Sequence, residues 1–176
     1  MNLVATRMGR WLAPLTQSIA LLLLAGNTLL WLIPSGAEFV ARNLTGLTHE
    51  PLALTTLAVA LGWLLSTLQM VLLGSGLWAM AKVFRCLANN EQWHPQVGTQ
   101  VHRFGRALLW FGLTSPLFRS LLVMAVTFEN PAGQKLLVIG ISANDIVITL
   151  VGVLLMMLGY VLQEAAMIAD DNRQII

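Results

Sequence analysis

The chain alternates between long apolar runs and short polar segments. Residues 11–37 and 51–81 carry no charged side chain, which gives runs of 27 and 31 uncharged residues. A third run, 107–128, is interrupted only by Arg119, and a fourth is uncharged from 146 to 163. Because a helix of about 20 residues crosses a hydrocarbon layer of roughly 30 Å, each run is long enough for one membrane span.

This pattern predicts an all-α integral membrane bundle of four transmembrane helices, folded as a single domain over residues 1–176. A helical cytoplasmic hairpin over 85–105 is expected to join the second span to the third. The predicted spans lie near 14–34, 52–84, 106–128 and 143–168. Because the second run would form a helix of about 45 Å, that helix is expected to tilt or to continue past the membrane to about Asn89.

The start of the fourth helix is marked by Ser142 and Asp145, which have the spacing of a capping box. Just before them, residues 136–141 form the apolar run LLVIGI. This run fits either a short external strand or the first turn of the fourth helix, and periodicity does not separate the two.

Composition agrees with a bilayer environment. Hydrophobic residues make up 57% of the chain and charged residues 10%, whereas a soluble domain has about a quarter of its residues charged. The single Cys86 has no partner for an intrachain disulfide and no Cys or His companion at metal-ligand spacing. These counts exclude a soluble domain, a disulfide scaffold and a zinc site.

The cationic residues predict the orientation. Of the ten Lys and Arg residues, seven fall before the first span, between the second and third, or after the fourth, whereas Arg42 and Lys135 fall on the other side. The positive-inside rule therefore predicts that both termini and the hairpin face the cytoplasm. As an aromatic belt, Trp11, Trp78 and Trp110 are expected near the inner interface and Trp31 near the outer one.

Arg119 is the most costly residue in the predicted membrane region, since an arginine near the bilayer centre costs about 3 kcal/mol. Asp145 is the acidic residue whose predicted position allows it to approach. We therefore predict an intramembrane pair of Arg119 and Asp145. A pair deep in the membrane is expected to require a fourth helix that begins near Leu136, whereas a separate strand over 136–141 would leave Asp145 at the interface, with Arg119 reaching up to it. The alternative is that Arg119 serves as a gating or ligand-binding charge.

Small or polar residues recur at intervals of seven along the fourth span, at Asp145, Gly152, Gly159 and Ala166. Such a stripe lets another helix backbone approach closely. It fits packing within the chain, which we favour, and it also fits a homo-oligomer seam.

The chain carries no recognisable catalytic motif. It lacks H-E-x-x-H, G-x-S-x-G, P-loop and G-x-G-x-x-G sequences, so we expect no enzymatic activity, metal, cofactor or direct nucleic-acid contact. The expected contacts are with the lipid bilayer and with a cytoplasmic regulator or another membrane protein. A docking surface for such a partner is predicted at Trp93, His94, Arg103 and Arg106.

Two cytoplasmic segments resemble a known family. The first, VFRCLANNEQWHPQVGTQVHRFGRALLW (83–110), has a Leu/Phe-rich helix end, a turn with glutamate and an aromatic residue, and a returning helix with an apolar-Gly-Arg step. The second, VLQEAAMIADDNRQII (161–176), has an E-A step, an acidic-Asn turn and a short apolar terminus. Together they are similar to the YoaS-like family of bacterial four-helix membrane proteins, domain of unknown function 2975. The chain departs from that pattern at Asn90, where glycine is usual, and at Trp93, where phenylalanine is usual.

The resemblance implies a multi-pass protein of the bacterial inner membrane with no catalytic residues. Because members of the family are often encoded beside a small helix-turn-helix regulator, it also implies a regulatory or accessory role. A small transporter or channel that uses Arg119 is the alternative function.

Overall fold

The computed structural model describes residues 3–47, 52, 54–89, 95–131, 135 and 137–174. Within these residues the fold consists of five helices and contains no strand. Four of the five are long and apolar enough to cross a membrane, which confirms the predicted all-helical class with four candidate spans. The helices are α1 (Leu3–Leu32), α2 (Pro34–Thr45), α3 (Thr56–Ala88), α4 (Pro95–Thr127) and α5 (Ala143–Gln174).

Helices α3 and α4 are much longer than a membrane is thick. Each has 33 residues, or about 50 Å at 1.5 Å per residue, against a hydrocarbon layer of about 30 Å. The end of α3 at Ala88, capped by Asn89, agrees with the predicted continuation of the second helix past its span 52–84. Helix α4 begins at Pro95, eleven residues before the start predicted for the span 106–128. The described residues of the expected hairpin 85–105 simply continue α3 to Ala88 and begin α4 at Pro95, a residue suited to a first helical turn.

The continued helices are stabilised by an apolar cluster of their own. Val83 and Cys86 of α3 are buried against Val97 and Val101 of α4, and Leu155 of α5 packs beside them. Burying these side chains stabilises the helices beyond the point where the first charged residues appear. A charged residue ends an apolar run in the sequence, but it does not end a helix that still has a packed face.

The four long helices form a row. Helix α1 packs on α3, α3 packs on α4, and α4 packs on α5, and these are the extensive contacts between long helices in the described part of the chain. The expected four-helix bundle is thus open. Helix α5 presents its small-residue face to α4, while its outer face carries the exposed side chains of Ile146, Leu150, Leu154, Met157 and Val161.

Close contacts show which helix ends lie together. Gly9 of α1 lies against Phe84 and Ala88 near the end of α3, and Gly98 near the start of α4 lies against Gln163 of α5. Measured along the helix axes, the start of α1 and the later part of α5 therefore lie at the same end of the molecule. We call this end the basic end, because it carries Arg7, Arg10, Lys82, Arg85, Arg103 and Arg106, and the opposite one the far end.

Helix α2 was not predicted. The chain is extended at Ile33, and Pro34 then opens a new helix, because proline lacks the N–H that would continue α1 and disfavours a helical conformation in the residue before it. Ala37 and Val40 of α2 are buried in a cluster with Trp31 of α1, to which α4 also contributes. Trp31 is only 3% exposed, so its ring packs inside the protein, and its expected level near the outer interface stays a prediction.

Candidate functional site

The fold brings Arg119 and Asp145 together near the far end. Arg119 Nη2 lies 3.5 Å from both carboxylate oxygens of Asp145. The aspartate is 4% exposed, whereas the arginine side chain is 28% exposed. The predicted partners thus form an ion pair, with the carboxylate buried and the guanidinium partly open.

Asp145 is held in place by the start of α5. The Ser142 amide donates to Asp145 Oδ2 over 2.9 Å, and the Asp145 amide donates to Ser142 Oγ over 3.2 Å. This reciprocal arrangement is the predicted capping box, and it positions the carboxylate before any contact with arginine. The same carboxylate therefore begins a helix and neutralises a cation.

The segment that precedes α5 differs from both expectations. Helix α5 begins at Ala143, and residues 137–142 are neither strand nor helix. The helix start agrees with the predicted span 143–168, whereas the start near Leu136 that a deep pair was expected to require is wrong. Arg119 meets Asp145 in the first turn of α5, not two turns into it.

Residues 137–142 place non-helical backbone beside apolar side chains, and such backbone needs hydrogen-bond partners in a membrane. Helix α4 provides them. Ser120 Oγ donates to the Val138 carbonyl over 2.7 Å, and Arg119 Nη1 lies 3.5 Å from the Gly140 carbonyl oxygen. Arg119 thus contacts the backbone of this segment as well as Asp145, and no sequence pattern had indicated Ser120 or Gly140.

A cavity of about 150 Å³ adjoins the pair between α3, α4 and the start of α5. Polar side chains in its lining provide a favourable environment for the part of the guanidinium that does not contact Asp145. The polar side chains that line it, besides the pair, are Ser66, Gln69, Ser115 and Asn144.

The small-residue stripe of α5 packs within the chain. A methyl group added at Gly105 of α4 would lie 2.5 Å from the Met156 nitrogen and 2.7 Å from the Gly152 carbonyl oxygen. One added at Gly159 would lie 2.8 Å from the Gly98 carbonyl oxygen. Ala166 is also buried, at 3% exposure. The stripe thus packs against α4 within the chain, as we favoured. The same face is therefore not free for contact with a second copy of the protein.

The partner stripe on α4 consists of Gly98, Gly105 and Gly112, again at intervals of seven. Sequence analysis missed it because Gly98 and Gly105 fall in the segment that was assigned to a hairpin. The repeat was visible in the sequence, and a search for matching small-residue stripes on neighbouring spans would have found it.

The predicted docking surface is partly described. Trp93 and His94 lie outside the described residues. Arg103 and Arg106 are exposed on α4 and line a cavity of about 390 Å³ between α3 and α4, together with Lys82 of α3. The structure therefore brings the two arginines close to a third cation, Lys82, which was not part of the predicted docking surface.

Two tryptophans flank this cavity, at positions matched to the cations. Trp78 precedes Lys82 by four residues on α3, and Trp110 follows Arg106 by four residues on α4, so each ring lies one helical turn from a cation. Both rings line the cavity and are about half exposed. This arrangement is typical of a bilayer interface, where rings lie at headgroup level.

The cavity lacks a counter-charge among the described residues. There, the ion pairs join Arg42 to Glu38 at 2.9 Å and Arg119 to Asp145 at 3.5 Å, and neither pair includes Lys82, Arg103 or Arg106. The two polar regions therefore differ in kind, since the far-end site is internally neutralised and the basic-end cavity has a net positive charge.

Comparison of the chain with protein-family models, with curated proteins and with solved structures finds no match.

Proposed function

We propose that the protein is a multi-pass protein of the bacterial inner membrane that acts as a regulatory or accessory component, with both termini and the basic end in the cytoplasm. The distribution of lysine and arginine supports this orientation. The resemblance of residues 83–110 and 161–176 to the YoaS-like family supports the regulatory role. The observation that carries the proposal is the internal neutralisation of Arg119 by Asp145.

A gating or ligand-binding arginine needs freedom to change partners. Here the carboxylate is buried and capped by Ser142, and the guanidinium also contacts the backbone of the segment beside it. Moving Arg119 would leave a buried carboxylate without its cation, and such a loss is strongly unfavourable. The pair therefore behaves as a structural element.

The depth of Arg119 supports the same interpretation. If Arg103 and Arg106 mark one hydrocarbon boundary, a span of about 20 residues puts the other near residues 123–126. Arg119 then lies only about 6–10 Å from that boundary, at 1.5 Å per residue. A long side chain at this depth extends toward the headgroups, which lowers the cost of its charge.

Transport is the second candidate, and the polar cavity beside Arg119 favours it. Transporter sites, however, lie near the bilayer midplane and are typically built from interrupted helices. The four long helices here are continuous over their described lengths. The accessory role therefore fits the geometry better.

Flux measurements in proteoliposomes distinguish the two candidates. We expect the wild-type protein to give the same ion conductance and solute leakage as empty vesicles. Conductance that is lost in Arg119→Leu and kept in Arg42→Leu would establish transport instead. Arg42→Leu is the matched control because the Arg42 side chain is about as exposed as that of Arg119 and also pairs with an acid, but its partner Glu38 on α2 is 50% exposed whereas Asp145 is buried.

Site-specific photo-cross-linking in cells tests the accessory role. A photoreactive side chain at Glu164, which is exposed toward the basic end, should give a discrete adduct with another protein. The same group at Ile139, 77% exposed near the far end, is the control and should give none. Equal labelling from both positions, or none from Glu164, would contradict a partner at the basic end.

A further inference from the structure

The basic-end cavity continues into an apolar groove. A second cavity of about 370 Å³ shares Leu72, Ser75 and Trp110 with it and runs along α3 and α4 toward the far end. The other residues that line this second cavity are Leu68, Val71, Thr114 and Phe118. One continuous groove thus has three cations at one end and an apolar lining along the rest.

The two hydroxyl groups in the apolar part are already used. Ser75 Oγ donates to the Leu72 carbonyl over 2.7 Å, and Thr114 Oγ1 donates to the Trp110 carbonyl over 2.6 Å. Both groups are satisfied within their own helices, so they need nothing from an occupant. The groove beyond the tryptophans therefore suits a hydrocarbon chain.

The basic part has a different requirement. Lys82, Arg103 and Arg106 make no ion pair with a described residue. Gln100 lines the same cavity, and its buried Oε1 atom has no hydrogen-bond partner among the described residues. An occupant with a phosphate for the cations and a hydroxyl for Gln100 would satisfy both groups.

We propose that this groove binds an anionic phospholipid. Its phosphodiester lies among Lys82, Arg103 and Arg106, a headgroup hydroxyl donates to Gln100, and one acyl chain follows the apolar groove past Trp110. The two tryptophans lie at the level where the headgroup meets the chain. Basic pockets between membrane helices are suited to this class of ligand because charge attraction and apolar burial act together.

A free phosphate shares the charged contacts but leaves the apolar groove uncovered. A zwitterionic lipid fills the groove but brings a second, positive group beside three cations. An anionic lipid complements both parts, so charge selectivity and dependence on the groove should appear in the same measurement.

Quenching of tryptophan fluorescence by brominated acyl chains tests the proposal. The full chain is reconstituted in phosphatidylcholine vesicles that contain a small fraction of either brominated phosphatidylglycerol or brominated phosphatidylcholine. Each cation near an anionic lipid is expected to contribute about five-fold in affinity, so three predict a preference of roughly a hundred-fold for phosphatidylglycerol. The variant Arg103→Gln/Arg106→Gln should reduce this preference to about five-fold.

The matched control is Arg7→Gln/Arg10→Gln, which removes two exposed charges at the same end of the molecule, on α1. It should keep most of the preference. An equal loss in the two double variants would show attraction to general surface charge, and would overturn the proposal. Absence of any preference in the wild-type protein would overturn it as well.

Two further measurements distinguish binding of a lipid from binding of free phosphate. Ser75→Phe fills the junction of the two cavities without removing a cation or adding a tryptophan, and it should weaken quenching by brominated phosphatidylglycerol, while Ser75→Ala should not. Inorganic phosphate added at constant ionic strength should leave the quenching unchanged. Displacement by phosphate, or full quenching in Ser75→Phe, would show that the site binds a phosphate group alone.

Discussion

Three residues at the far end together form a helix cap, an ion pair and a contact to the backbone; they are Arg119, Ser142 and Asp145. Ser142 and Asp145 begin α5, Asp145 neutralises Arg119, and Arg119 contacts the carbonyl of Gly140. The pair could be predicted because a lone arginine in an apolar run needs a carboxylate and the sequence offered one in reach. The backbone contacts could not, since they depend on the path of residues 137–142, which carry no periodic signal.

A double-mutant cycle measures the pair. Arg119→Leu should lower the free energy of unfolding in detergent by about 2 kcal/mol, the range for a hydrogen bond to a charged group. Asp145→Leu should lower it further because it also removes the cap. The combined variant should recover part of the loss, since no charge is left unpaired. Strictly additive losses would show that the two side chains do not interact.

The cap can be tested separately from the ion pair. Ser142→Ala removes the side-chain acceptor for the Asp145 amide and should cost about 1 kcal/mol of stability. Ser75→Ala is the matched control, because the Ser75 hydroxyl is exposed and bonds only within its own helix turn, and it should be close to neutral. Equal thermal midpoints for Ser142→Ala and the wild type would contradict a capping role.

At the level of helices, apolar runs identified the four spans and the end of α3 near Asn89, but not the start of α4 at Pro95. Charged residues such as Lys82 and Arg103 interrupted the runs, whereas α3 and α4 continue because Val83 and Val101 are buried beyond that point. Burial depends on neighbours distant in sequence, so no single run contains it. Helix α2 was missed for the opposite reason, since the uncharged run 11–37 extends past the break at Pro34.

The seam between α4 and α5 gives a prediction at this scale. Gly105→Ala places a methyl group 2.5 Å from the Met156 nitrogen, which forces the helices apart and should cost about 1–3 kcal/mol. Gly74→Ala is the control, because a methyl group there has no atom within 4 Å, and it should not destabilise. The thermal midpoint of each variant in detergent provides the comparison, and equal midpoints would contradict close packing at the seam.

At the level of the whole molecule, the open row separates two polar regions with different charge balance. The far end holds a neutralised pair, and the basic end gathers cations on α3 and α4 that form no ion pair with a described residue, beside the ends of α1 and α5. The sequence predicted the number of spans and the asymmetry of charge. It did not predict the order of the helices in the row, because that order depends on glycine contacts between spans and not on the hydropathy of any one span.

The central claim is that the basic end faces the cytoplasm, and topology reporters test it most directly. Alkaline phosphatase, which is active only outside the cytoplasm, should be inactive when fused after Ile176 and active when fused after Gly46, in the turn that follows α2. Green fluorescent protein should give the reverse pattern. Active phosphatase after Ile176, with fluorescence from the fusion at Gly46, would contradict the orientation and the cytoplasmic partner proposed for the basic end.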